Sequence, residues 1–236
     1  MKLGIMQPYF FPYIGYFELI HRTDKWIVFD MVQYKPRSWM NRNRVLHPKD
    51  GWQYFGVPVK KAPRDTLIND IEIKDKNAAL ERILGQLSHY KNKAPHYSIV
   101  IDLIKQTFSE TRSNKLVDLN ISSLSVVCSY LGIVFKWVKC SEMNLDLSNV
   151  SHPGQWALEI CKQLKADEYI NPPGGKEIFK PEEFAERGIN LVFQDPIKFK
   201  YNCPPYIFEK NLSIIDVMMW NQPKKIMKFI KKNNYA

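Results

Sequence analysis

The sequence has no Cys-x-x-Cys pair, no long apolar run and no glycine-rich phosphate fingerprint. Its four cysteines, Cys128, Cys140, Cys161 and Cys203, stand 12, 21 and 42 residues apart. That spacing excludes a zinc or redox pair and offers no disulfide framework, so a reducing compartment, the cytoplasm, is expected. Cys128 and Cys161 sit in apolar helical patterns and read as small core residues. The five histidines (His21, His47, His89, His96, His152) form neither His-x-x-x-His nor His-Glu-x-x-His, so no metal site is expected. No stretch approaches the ~18 apolar residues of a membrane span. The opening Met1-Lys2-Leu3-Gly4-Ile5-Met6-Gln7-Pro8 breaks too early for a signal peptide. G-x-G-x-x-G, G-x-x-x-x-G-K-[ST] and G-x-S-x-G are all missing, and no Ser/His/Asp arrangement is recognisable.

What is present is a folded chain. Its 236 residues are 45% hydrophobic and 13% aromatic, far too apolar for disorder. They fit a single α/β domain over 1–236, with a helical subregion at about 78–131. The net charge of +10 is localised. Residues 35–49 carry Lys35, Arg37, Arg42, Arg44 and Lys49 with no acid, and residues 198–236 carry eight lysines against Glu209 and Asp216. Basic clusters attract phosphate on nucleic acid, nucleotide, coenzyme A or lipid. A solvated basic tail is the plainer reading of the second segment.

Residues 2–6 and 26–29 read as strands joined by a helix from Gly15, a βαβ unit of a Rossmann-like parallel sheet. Ligands of such sheets sit at the C-terminal strand ends, here residues 7–13 and 30–43. Residues 52–60, 68–74, 134–138, 169–170 and 189–193 are strand-like. Leu80, Ile83, Leu84, Leu87 and Tyr90 have helical spacing, and further helices are expected over 96–109, 114–131, about 153–164, from Pro181, 212–220 and 223–232.

Ten of the 31 aromatics fall in the first 39 residues, among them Tyr9, Tyr13, Tyr16 and Trp39, beside Gln7, Asp30 and Gln33. Aromatics interleaved with amides and cations can stack a flat ring and hold phosphates. Asn41, Arg42, Asn43 and Arg44 are expected on a loop, where arginine grips phosphate bidentately. Asp30, after an apolar strand, suits a base, a ribose contact or an amine partner, or else a turn cap. His152, before Pro153-Gly154, is the best-placed histidine for general-base work. The loop Asn171-Pro172-Pro173-Gly174-Gly175-Lys176 reads either as a turn or as an anion-binding backbone assisted by Lys176.

Tyr13-Ile14-Gly15-Tyr16 has the placement of the H-x-G-H motif of adenylyltransferases, with tyrosine at both histidine positions. It supports a Rossmann-like half and leaves nucleotidyl transfer as one alternative. A nucleic-acid-binding module is another, although no RRM, KH or helix-turn-helix signature occurs.

Residues 6–17 (Met-Gln-Pro-Tyr-Phe-Phe-Pro-Tyr-Ile-Gly-Tyr-Phe), 30–34 (Asp-Met-Val-Gln-Tyr), Trp39 with Arg42-Asn43, Tyr90 with Ala94-Pro95, Leu119-Asn120, residues 169–176 and Ser213-Ile214-Ile215-Asp216 run in this order over nearly the whole chain. Together they resemble the WbqC-like protein family. That resemblance implies bacterial O-antigen or other surface-polysaccharide biosynthesis and a nucleotide-activated amino sugar as substrate. The implied activity is N-acyl or aminoacyl transfer, with acyl-CoA or another activated acyl donor as co-substrate. No tightly bound cofactor and no specific nucleic acid are expected, and the oligomeric state is left open.

Overall fold

A computed structural model describes residues 1–232; positions 233–236 of the basic C-terminal segment lie outside the described residues. The strands and α-helices are, in chain order, β1 (Lys2–Met6), α1 (Ile14–Arg22), β2 (Lys25–Val28), β3 (Arg42–Leu46), β4 (Trp52–Gly56), α2 (Lys76–Leu87), α3 (Tyr97–Glu110), α4 (Leu116–Leu131), β5 (Trp137–Lys139), α5 (Gln155–Gln163), β6 (Glu168–Asn171), α6 (Pro181–Ala185), β7 (Asn190–Phe193), α7 (Ile214–Trp220) and α8 (Pro223–Lys232).

Five strands form one parallel sheet in the order β5-β2-β1-β6-β7. From β1 the chain passes through α1 to β2 on one side, and β6 later lies on β1's other side. The order therefore switches at β1, which opens a crevice beyond the C-terminal ends of β1 and β6. This is the expected α/β, Rossmann-like architecture.

Both faces of the sheet are covered, as parallel sheets require. Leu3, Ile5, Ile27 and Tyr169 pack on Leu158, Ile160 and Cys161 of α5 and Phe184 of α6. Trp26, Val28 and Ile170 face the other way, into a larger core with Phe17 of α1 and residues of α3, α4, α7 and α8. Successive strand residues enter opposite cores, following the period-2 geometry of a strand. Gly4 lies beside Trp26 in register, and a Cβ there would come within 2.7 Å of the indole. All four cysteines are free and buried, in keeping with the packing role expected of Cys128 and Cys161.

Helices α2, α3 and α4 fill the expected helical stretch. Three expectations need correction. Residues 42–46 are strand β3, paired antiparallel with β4, instead of loop. Asn43 and Val45 point inward while Arg42 and Arg44 alternate with them, so the cations disguised an amphipathic strand. Residues 68–74 form no strand: Ile68–Asp70 is a single 3-10 turn followed by isolated bridges, with Ile68, Ile71 and Ile73 buried. β5 starts only at Trp137, and Val134 is 73% exposed. Among the described residues no helix is long and apolar enough to cross a membrane.

Gly4→Ala should lower unfolding free energy by about 1–3 kcal/mol, because the methyl must displace the Trp26 ring. Gly85→Ala, in α2 with open space at its Cβ position, should raise it by about 0.5–1 kcal/mol. Urea denaturation checks both, and equal shifts in one direction would contradict the packing described.

Candidate functional site

The loop after β1 is folded inward, so its carbonyls need partners. Those of Gln7, Pro8, Phe10, Phe11 and Pro12 each find a donor. Gln7 O accepts from Tyr16 Oη at 2.6 Å, and Pro8 O accepts from Asn120 Nδ2 at 2.8 Å. Asn43 Nδ2 spans Phe10 O and Phe11 O, both at 3.0 Å. Phe11 O also accepts from Ser213 Oγ at 2.6 Å, and Pro12 O from the Ile214 amide at 2.9 Å. Phe11 itself has φ +39°, a left-handed value unusual for a bulky residue and held by these contacts. Tyr13 then turns its ring against the first turn of α1; a Cβ on Gly15 would lie 2.7 Å from Tyr13 Oη, so only glycine lets the ring lie there.

This loop forms one wall of a cleft of about 340 Å³ beyond the sheet's C-terminal edge, a size suited to a small-molecule ligand. Tyr9, Pro12 and Tyr13 come from the loop, Trp39, Asn43 and Arg44 from the hairpin and its approach, and Pro173, Pro196, Ile197 and Asn211 from segments after β6 and β7. Tyr9 stacks on the buried Tyr16 at 5.2 Å between centroids. Burial pushes the phenols of Tyr9 and Tyr13 upward, with Glu18 and then Tyr9 adding to the effect at Tyr13. Both therefore stay neutral at pH 7 and offer hydroxyl groups instead of bases.

Arg44 is the cleft's cation. Its guanidinium lies 4.8 Å from the Trp52 ring centroid and 5.3 Å from that of Trp39. Nη2 donates to Asn211 O at a long 3.4 Å, and the buried Nε has no partner among the described residues. A guanidinium held against two indoles, with no carboxylate paired to it among the described residues, is prepared to meet an anion through its Nη donors.

Of the residues singled out in the sequence, Tyr9, Tyr13, Trp39, Asn43 and Arg44 line this cleft. The others serve elsewhere. Tyr16 is 1% exposed and forms the floor beneath Tyr9. Gln7 is half-buried at the strand end, and Gln33 Nε2 donates to Arg64 O. Asn41 Nδ2 donates to Val57 O at 3.2 Å, and Arg42 lies 3.9 Å over Tyr54 on the hairpin. Asp30 is fully buried, accepting from Ser141 N at 3.0 Å and Ser141 Oγ at 2.6 Å, so it ties the end of β2 to the turn after β5. His152 faces Glu183 at 3.1 Å and accepts from the Gly154 amide at 3.2 Å. Neither of the two expected catalytic residues lines the cleft. Asn171 is buried against Tyr169 Oη at 2.6 Å, and a Cβ on Gly175 would overlap Asn171 Oδ1. The amides of Gly175 and Lys176 close the turn onto Pro172 O and Pro173 O, so they are not free for an anion; Gly174 and Lys176 are exposed.

Sequence reasoning missed the roles of Asp216, Asn120 and Ser213. Asp216 is fully buried in α7, accepting from Tyr90 Oη, from Tyr201 Oη at 2.7 Å and from the Leu46 amide at 3.1 Å. Burial raises its pKa against the lowering by these donors. It fixes the end of β3 to α7 and hence the position of Arg44. Burial also raises the thiols, Cys140 and Cys203 to about 11 and Cys161 to about 12, which disfavours the nucleophilic thiolate.

The model of the WbqC-like protein family matches residues 7–228. An uncharacterized protein of Mycobacterium tuberculosis (strain ATCC 25618 / H37Rv), Rv1507c, is 29% identical over 225 residues, covering 92% of each chain. No solved structure matches this chain significantly.

Asn43→Ala should cost about 1–3 kcal/mol of stability, because Phe10 O and the Arg44 amide lose their partner in a buried setting. Thermal or urea unfolding measures it. A change within about 0.5 kcal/mol, typical of a surface position, would contradict the clamp.

Proposed function

The chain belongs to the WbqC-like protein family, and from that premise and the cleft's chemistry we propose that it is a transferase acting on a nucleotide-activated amino sugar. The single observation carrying the reading is Arg44, without an ion-pair partner among the described residues and flanked by indoles in a cleft at the sheet's switch point. The nucleobase stacks on Trp39 or Tyr13, and the pyrophosphate meets Arg44. The hydroxyls of Tyr9 and Tyr13 hydrogen-bond the ligand in their neutral form. The reaction is N-acyl or aminoacyl transfer to the sugar amine, in O-antigen or related surface-polysaccharide biosynthesis. This chemistry is what the family resemblance implies.

An ammonium must lose a proton before it attacks an acyl carbon. Asp30 and His152 are engaged away from the cleft, so in this reading water accepts that proton. The protein's contribution is then binding and orientation of the amine, an effect that can supply much of an acyl-transfer barrier.

Titration calorimetry with dTDP- and UDP-amino sugars tests the reading. At least one should bind, and Arg44→Ala should weaken it about tenfold or more, the worth of a charged hydrogen bond. Arg44→Lys should recover only part of the loss, since an ammonium lacks the bidentate fork. Trp39→Ala should cost about 1–3 kcal/mol of binding through lost stacking. No binding by the folded protein would end the proposal.

A further inference from the structure

A second hollow adjoins the cleft. It measures about 330 Å³ and shares Ile197 and Asn211 with the first, so these two residues form the boundary between the two hollows. Its interior is apolar, with Ile14 of α1, Phe199, Phe208 and Val217 of α7 among its walls. Its floor is fixed: Tyr201, 6% exposed, donates to the buried Asp216 at 2.7 Å. Lys198, Lys200 and Lys210 also line it, all exposed, and none makes an ion pair among the described residues. Among the described residues the only carboxylate lining it is that of Glu209. Part of the basic charge after residue 198 is thus gathered at one apolar hollow beside the cleft.

We propose that this second hollow is the donor subsite and takes the phosphopantetheine arm of an acyl thioester, its phosphate at the lysine rim and its thioester end pointing across Ile197 and Asn211. The inference rests on the transferase reading, because it supplies the second substrate of that reaction. An apolar interior with a cationic rim fits a ligand having a narrow organic arm and a phosphate at one end. The three lysines make the potential at the opening positive, which favours a ligand that carries its anion there. Adjacency is also what the transfer needs, since amine and carbonyl carbon must approach within about 3–3.5 Å. In the step itself the sugar nitrogen bonds the carbonyl carbon and the carbon–sulfur bond breaks. Sulfur leaves with the electron pair, and of the two protons lost by the ammonium one goes to sulfur and the other to water.

The test is calorimetric titration of the full chain with acetyl-CoA and, separately, with 4′-phosphopantetheine. Acetyl-CoA should bind, and Lys198→Ala/Lys200→Ala/Lys210→Ala should weaken it about tenfold or more. These residues are exposed, so the variant should fold, which circular dichroism checks. Glu209→Gln should tighten binding, a change that a merely structural role would not produce. Arg44→Ala should leave acetyl-CoA affinity unchanged, and the lysine variant should still bind the nucleotide sugar. Equal binding of 4′-phosphopantetheine supports a carrier-borne donor, whereas binding of acetyl-CoA alone supports free coenzyme A thioester. If neither compound binds, or the lysine variant binds both as the parent does, the subsite is overturned. Nucleotide-sugar binding in that same protein would leave the transferase reading standing. Lysine-dependent acetyl-CoA binding without nucleotide-sugar binding would instead overturn that reading and keep the hollow.

Discussion

The buried carbonyls of the loop after β1 are the constraint on which the rest depends. A loop that turns into a core must find donors for every carbonyl it hides, because each one left unsatisfied costs about 1–3 kcal/mol. Here the donors come from far along the chain: Asn43 in β3, Asn120 in α4, and Ser213 with Ile214 at the start of α7. Satisfying one loop therefore locks the hairpin, the helical layer and the C-terminal helices onto the end of β1.

That lock sets the cleft. Asn43 and Arg44 are consecutive and both border the cleft: the first clamps the loop after β1, and so fixes the strand position from which the second presents its charge. Asp216 holds the far end of the same strand through the Leu46 amide. The strained Phe11 and the glycine-dependent packing of Tyr13 then give the aromatic wall its shape. Aromatics already packed in place on a hydrogen-bonded backbone are a good base for binding, since little ordering cost falls on the ligand contacts.

Much of this was legible in the sequence where the information is local. The βαβ start, the long helices with regular spacing and the aromatic cluster at a strand end need only near neighbours. Tyr9, Tyr13, Trp39, Asn43 and Arg44, singled out on that local basis, all line the cleft. β3 was hidden because its outward residues are arginines, which read as loop in composition. Asp30 is ambiguous in the sequence for a different reason. A carboxylate at a strand end looks the same whether its partner is a substrate or Ser141, and only the fold brings Ser141 beside it. The same holds for His152, whose partner Glu183 lies on α6. Pro196, Ile197 and Asn211 carry no chemical signature, and enter the cleft only because their segment crosses its mouth. Asn43, Asn120, Ser213 and Asp216 bind the protein's own backbone and tyrosines.

The basic charge divides between places as well. Arg44 stands in the cleft, Arg42 lies over Tyr54, and three lysines surround the neighbouring hollow. A crystal structure with a bound dTDP- or UDP-amino sugar tests the central claim most directly. The account predicts the base against Trp39 or Tyr13 and the pyrophosphate on Arg44, with the loop after β1 unmoved. Density for the ligand at another site, with the cleft between Tyr9 and Arg44 filled only by water, would contradict it.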